Sequence, residues 1–483
     1  MRLRARALIC LGLAGCVHTA PAIDGSAPTP RNSSSLWTPP SVVAHAGDAD
    51  AKRLAPSTAE LQRFTLAQVV DLALRNSPAT RQSWTEARAA ADVYGSSEGR
   101  LYPTVVAGFG TSKTLAQSAG RPPTERLQYG PTLGLSYTVL DFGGRAGSID
   151  VARQTAIAAD LTHNATVENT ILIVEGAAFT YLSTRAQRDA EMIALQLASA
   201  ALDAANERHR VGLATIADVL QAQTARSQAE LQLETLEGSL QITRGALAVA
   251  MGLPANTPFD VPDLPATDST YFVTQSVDSL IAMAVRSRPE LATARAEAAA
   301  AQSQIRVARS AYLPALAFTA TGANNGSNVS NFVGNSYAIN VGVQVPVFSG
   351  FSNHYDAAAA GENYQAAMAR TETAKQQVIQ QVFTAYYTLR TSNDRVRTSR
   401  DLLASAIQSE TVARERYKEG VGSIVDLLVA QSALATARAQ AVDARWQWRT
   451  ALAQLAHDVG VLNARGDTSF APLTPAPDVR PER

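Results

Sequence analysis

Arg208-His209-Arg210-Val211-Gly212-Leu213-Ala214-Thr215-Ile216-Ala217-Asp218-Val219-Leu220 returns as Arg416-Tyr417-Lys418-Glu419-Gly420-Val421-Gly422-Ser423-Ile424-Val425-Asp426-Leu427-Leu428, displaced by 208 residues. Other landmarks recur in the same order. Ser77-Pro78 matches Arg288-Pro289, Leu101-Tyr102-Pro103 matches Tyr312-Leu313-Pro314, and Leu140-Asp141-Phe142-Gly143-Gly144 matches Pro346-Val347-Phe348-Ser349-Gly350. A period this long far exceeds the roughly 20 to 50 residues of a solenoid unit, so it reads as duplication of a half-domain. Each half runs helix, turn, strands, turn, helix.

Around the repeated segments the sequence is helical over unusual lengths. From Ala146 to Val211 there is no proline, and Ala, Gln, Leu, Glu and Arg dominate, which are good helix formers. At about 1.5 Å per residue this run makes a rod on the order of 100 Å long. Ser352 to Tyr417 repeats it, and return helices are expected from about Ile216 to Met251 and Ile424 to Val459. Apolar Ile216, Val219, Leu220 and Ile424, Leu427, Leu428 recur at three- and four-residue spacing, one face of a helix packed on a neighbour. Charged residues on the opposite face suit solvent, and antiparallel coiled-coil pairing follows.

Between the helices the period switches to two. Leu133, Leu135, Tyr137 and Val139 alternate with small or polar residues, as do Ile339, Val341, Val343 and Val345, with Leu316, Phe318 and Ala320 before them and a weaker Val105, Ala107, Phe109 set. Strands are expected over about 104–114, 127–141, 315–324 and 336–348. Roughly 10 residues is the length a tilted strand needs to cross a bilayer. Four strands cannot close a barrel, for which eight is about the minimum, so several chains must share one.

Residues 1–16 carry Arg2, Arg4 and Arg6, a short apolar run and Leu13-Ala14-Gly15-Cys16. The run is too short to span a bilayer and reads as a secretory signal. Small residues before Cys16 resemble a bacterial lipobox, which implies cleavage and acylation there; the alternative is an ordinary signal peptide with a chance cysteine. With Cys10 removed and Cys16 lipidated, no cysteine remains for redox or metal chemistry. Residues 17–60 read as a Pro/Ser/Ala-rich extended tether, 61–253 as the first repeat, 254–275 as a linker, 276–462 as the second repeat and 463–483 as a disordered tail.

The 42 Lys and Arg balance 42 Asp and Glu, which gives no basic footprint for nucleic acid. The six histidines are scattered, without the spacing of a zinc site, and there is no phosphate-binding loop or nucleophile elbow. No enzyme activity, metal or cofactor is expected.

Residues 60 to 462 resemble the TolC family of outer-membrane efflux channels. The resemblance is carried by the Leu-Tyr-Pro and Tyr-Leu-Pro turns at Pro103 and Pro314, the glycine exits at Gly143, Gly144 and Gly350, and the paired Gly-x-x-x-Ile-x-Asp-x-Leu segments at Gly212 and Gly420. It implies a mostly α fold with a transmembrane β-hairpin pair. The duplicated halves of three protomers would form a 12-stranded β-barrel in outer-membrane lipid, joined to a long periplasmic α-helical barrel. It also implies a homotrimer docking with a periplasmic adaptor and an inner-membrane efflux pump, and passive conduction of small toxic compounds. An outer-membrane duct for type I protein secretion and a non-pore coiled-coil adaptor lipoprotein are the alternatives. By the same resemblance Asp218 and Asp426 are tip aspartates of a periplasmic gate, with Tyr417, Arg208 and Arg416 beside them. A threefold axis would turn each carboxylate into a ring that attracts cations, while a helix-capping role is the plainer reading of both. Gly422 and Val429 stand where some members carry an arginine and a second aspartate.

Overall fold

The computed structural model describes residues 29–30, 32–37, 64–117, 120, 122–264, 275–328 and 334–462. Cys16, the signal and the tail expected at 463–483 lie outside the described residues, as does most of the tether. The order is α1 (Leu66–Asn76), α2 (Pro78–Gly99), β1 (Thr104–Ala116), β2 (Thr124–Leu140), α3 (Gly144–Arg210), α4 (Ile216–Ala250), then α5 (Val277–Ser287), α6 (Pro289–Ser310), β3 (Ala315–Ser327), β4 (Gly334–Gln344), α7 (Ser352–Lys418) and α8 (Ile424–Val459). The first three elements recur 211 residues later, whereas α3 and α4 recur after 208. The three-residue difference falls in the hairpins.

The helix joints follow from local chemistry. Thr65 closes a capping box with Gln68 at the start of α1, and Ser77 caps α2, whose first residue is Pro78. Proline fits there because the first helical N–H has no intrahelical partner. Pro289 opens α6 in the same way.

Each hairpin leaves its sheet through a tight turn with two left-handed residues, Phe142 (φ 48°) and Gly143 (φ 98°) in one, Gly350 (φ 64°) and Phe351 (φ 65°) in the other. Gly144 N donates to Asp141 O at 3.2 Å and Ser352 N to Ser349 O at 3.3 Å, which are type I′ turns. The equivalent pairs are thus Phe142-Gly143 and Gly350-Phe351, a correction of two residues to the match with Phe348-Ser349-Gly350. Glycine and phenylalanine exchange places, which hides the equivalence in sequence. Gly144 also needs its lack of a side chain, since a Cβ would lie 2.6 Å from Ser310 Oγ of α6.

The strands form one antiparallel sheet in the order β1-β2-β3-β4. Register places Val105 opposite Leu135, Tyr137 opposite Phe318, and Phe318 opposite Val341. Alternation then puts Val105, Ala107, Phe109, Leu133, Leu135, Tyr137, Leu316, Phe318, Ile339, Val341 and Val343 on one face. The other face carries Thr104, Gly108, Thr132, Gly134, Ser136, Thr319, Thr321, Asn340 and Gly342. The apolar face is uncovered, with Val341 67% and Ile339 68% exposed. Tyr129 lies opposite Gly326, and its ring occupies the space beside the missing Cβ, an aromatic cover for a weak strand position. β4 stops at Gln344 rather than at 348, because Pro346 has no N–H to continue a ladder.

At the middle of the molecule α8 divides its apolar residues between two cores. Trp446 joins α1, α3 and the 259–261 segment around Phe179 and Val261, and Trp448 joins α5 and α7 around Leu389. Arg288, between α5 and α6, braces these layers by donating to Glu290 (2.9 Å), Gln381 of α7 (3.0 Å) and Asp458 of α8 (3.3 Å).

Two segments depart from expectation. Residues 29–30 and 32–37, part of the expected tether, are docked. Asn164 accepts from Trp37 N and donates to Trp37 O, both at 2.7 Å, as a strand partner would. Buried His163 bridges Ser83 Oγ (2.8 Å) and Ser35 O (3.0 Å). The second departure is that the polar side of α3 is not all solvated. Asp160, Glu168 and Glu175 are buried, because α2, α6 and α8 enclose α3 from several sides. Burial pushes the Asp160 carboxyl up to about 8 and the Glu175 carboxyl to about 7, since desolvation disfavours the charged form.

Candidate functional site

The repeated segments fold as two helix turns that come together. At each, the helix ends in a left-handed glycine, Gly212 (φ 76°) and Gly420 (φ 79°). Leu213 N donates to Arg208 O at 2.8 Å and Val421 N to Arg416 O at 2.9 Å, the closing bond of a Schellman motif. Space at Gly422 is tight, because a Cβ there would sit 3.1 Å from Arg416 Cβ and 3.2 Å from Arg416 C and Tyr417 N. A side chain at this position would need the end of α7 to give by a few tenths of an ångström.

The next helix then opens on a capping box at each turn. Thr215 Oγ1 accepts from Asp218 N (3.3 Å) while Asp218 Oδ2 accepts from Thr215 N (2.8 Å). Ser423 Oγ accepts from Asp426 N (3.1 Å) and Asp426 Oδ2 from Ser423 N (3.3 Å). Both aspartates therefore satisfy otherwise unpaired amide donors. The hydrogen bonds from Ser423, helped by Arg416, hold the Asp426 carboxyl below the usual range.

The two turns are tied by a small core of Ala201, Leu202, Ala205 and Ala222 from the first hairpin with Tyr417, Ile424 and Leu427 from the second. Arg208 closes it. Its Nη1 donates to Tyr417 O, and its guanidinium carbon lies 4.8 Å from the centre of the Tyr417 ring. Tyr417 is only 6% exposed, and burial raises its phenol above the usual value. Arg416, the counterpart of Arg208, turns back to Val421 O of its own loop at 3.4 Å, and His209, the counterpart of Tyr417, contacts Ala214 O at 2.9 Å. Arg208 and Tyr417 thus meet across the hairpins, while Arg416 does not cross. Pro103, Pro314, Gly143, Gly144 and Gly350 lie far from these turns, at the sheet end of the long helices. The stacking of Arg208 on Tyr417 had no sequence signal beyond proximity to the repeated motif.

Among the described residues no group of three or more His, Cys, Asp or Glu side chains is placed to hold a metal. No helix among them is long and apolar enough to cross a membrane.

Two 67-residue helices joined to an open sheet with a bare apolar face define the class of envelope-spanning outer-membrane channel proteins. The chain matches the family described as outer membrane efflux protein over residues 69–253 and 280–461, and it belongs to that family. Protein CyaE of Bordetella pertussis is 28% identical over 425 residues, covering 87% of this chain and 89% of that protein. The pyoverdine export outer membrane protein OpmQ of Pseudomonas aeruginosa is 29% identical over 352 residues, 69% of each. The solved outer membrane protein VceC of Vibrio cholerae superposes with a TM-score of 0.73 at 19% identity, over 82% of this chain and 96% of that one.

Proposed function

We propose that the protein is the outer-membrane channel of a tripartite efflux system and conducts small toxic compounds passively from an inner-membrane pump and a periplasmic adaptor. The observation that carries this is the open four-stranded sheet. Its edges β1 and β4 lack partners among the described residues, and one face is apolar and exposed. Three copies pairing β4 to β1 close a 12-stranded barrel with that face toward lipid, and every strand edge is then satisfied, as the bilayer requires. The two halves are the products of a duplication, and Cys16 carries the lipid anchor. The relatives named for pyoverdine export, OpmQ, and for toluene efflux, TtgF, support small cargo.

Membrane fractionation followed by an unboiled denaturing gel tests this reading. A heat-sensitive trimer in the outer-membrane fraction is the expected result, and a soluble or inner-membrane monomer would refute it.

The two aspartates form acidic rings at the periplasmic end of the assembled tube while capping their own helices. Asn in place of both Asp218 and Asp426 keeps the oxygen acceptor but removes the charge. The double variant is expected to lose divalent-cation block in bilayer recordings, with helix-end stability changed by less than about 1 kcal/mol. Unaltered block would leave capping as their whole role.

A further inference from the structure

We propose that a recess between α3, α8 and α7, on the inner face of the helical layer, is a binding site for planar aromatic cations and a station on the route of cargo through the tube. The inference rests on the channel reading above and names the chemistry of what passes.

The recess has a volume of about 870 Å³, within the roughly 300 to 1,000 Å³ of sites that take drug-sized molecules. Its place follows from helix phase. On α3 it is lined by Thr180, Ser183, Thr184 and Gln187, whereas Val174, Ala178 and Leu182 pack with α1. On α7 it is lined by Phe383, Tyr387 and Thr391, whereas Val378, Val382 and Leu389 pack with α5. At about 100° per residue these sets fall on opposite sides of their helices. α1 and α5 thus cover one face of the layer and the recess opens on the other. Three copies of α1 and α5, each about 10 Å across, would plug the proposed tube from inside, so their face is the outer one and the recess faces the lumen.

Three features select the ligand. Two aromatic pairs line it, Phe179 with Trp446 at 6.0 Å between ring centres and Phe383 with Tyr387 at 4.7 Å. Phe383 is 49% and Tyr387 42% exposed, which leaves ring surface for a guest, and ring faces attract cations. The hydroxyls of Thr180, Thr184, Ser392 and Thr450 each donate to the carbonyl four residues back in their own helix, at 2.8 to 3.1 Å. A hydroxyl has one hydrogen, so these four offer a guest acceptor oxygen, suited to N–H donors. Asp443 adds a carboxylate. The exposed Arg395, also on the lining, is engaged by Gln447, which accepts from its Nη1 and donates to Asp443, both at 2.6 Å.

The test is equilibrium binding of ethidium to the purified full-length protein, read by fluorescence anisotropy, beside its block of single-channel current in planar bilayers. The parent should bind ethidium and hold pyrenesulfonate, a flat anion, at least about tenfold more weakly. Phe383→Leu combined with Tyr387→Leu keeps apolar bulk and helix propensity but removes two ring faces, and should weaken both binding and block about tenfold. Should that variant lack a helical circular dichroism spectrum, Asp443→Asn supplies the readout, since it keeps the acceptor for Gln447, loses the charge and should bind ethidium severalfold more weakly. No ethidium binding by the parent, equal affinity in parent and variant, pyrenesulfonate bound as tightly as ethidium, or binding without any block overturns the proposal and leaves a conducting parent standing as a channel. Absence of any conductance from the parent overturns both.

Discussion

Arginine in place of Val341 is expected to keep the protein out of the outer membrane, whereas arginine in place of its neighbour Asn340 is expected to be tolerated. Val341 sits two residues past the midpoint of β4, opposite Phe318, on the face that gathers the aliphatic and aromatic residues of all four strands. In a closed barrel that face meets lipid, where an arginine near the bilayer midplane costs about 2 to 4 kcal/mol. In the proposed trimer the penalty is met three times. Asn340 points to the opposite face with Thr319 as its partner, and there a charge would line water and alter conductance instead. Outer-membrane yield of the two variants, compared by fractionation, gives the answer. The opposite order of yields would mean that the sheet faces are reversed, and equal yields that the sheet does not meet lipid.

The second large effect concerns pH. Asp160 is completely buried, and neither carboxylate oxygen has a hydrogen-bond partner. Its pKa rises from the ordinary value near 4 to about 8 in the fold. The folded chain therefore keeps a proton that the unfolded chain loses, and this group makes stability fall as pH climbs from about 4 to about 8. Glu168, pushed up to about 8, and Glu175, to about 7, act in the same direction. Asp160→Asn is neutral at every pH and should flatten this slope. Allowing for the cost of burying an amide, we expect a gain of about 2 kcal/mol at pH 8 that vanishes at pH 4. Thermal melts of the helical circular dichroism at both pH values check it. A parallel shift of parent and variant would show that Asp160 is ionised in the fold.

Much of this architecture can be read from the residues because the physics is local. The switch from 3.6-residue to two-residue periodicity, and the Ser-Pro and Gly-x-x-x-Ile-x-Asp punctuation, place helices, strands and turns without reference to distant contacts. The features that escaped are those made by partners far apart in sequence. Asp160, Glu168 and Glu175 look like the solvated side of a coiled coil until α2, α6 and α8 are seen to enclose α3. Trp37 lies in an aperiodic Pro/Ser-rich stretch, and Asn164, on a helix well over a hundred residues later, gives its backbone a partner. The turn partners Phe142-Gly143 and Gly350-Phe351 share a backbone shape and not a residue order. At the candidate gate, the capping aspartates were legible from their place after the glycines. The crossing of Arg208, and the failure of Arg416 to do likewise, depend on which ring lies opposite.

α3 and α7 are both 67 residues long, α2 and α6 both 22, α1 and α5 both 11, while the hairpins between them differ in length. A helix gains about 1.5 Å and turns about 100° with each residue, so deleting one residue from either long helix would rotate everything below it by more than a quarter turn and shorten one spar against its twin. The matched lengths act as a phase lock: sequence can drift, and surface loops can grow or shrink, but in the proposed tube the residue count between sheet and turn is held fixed by geometry.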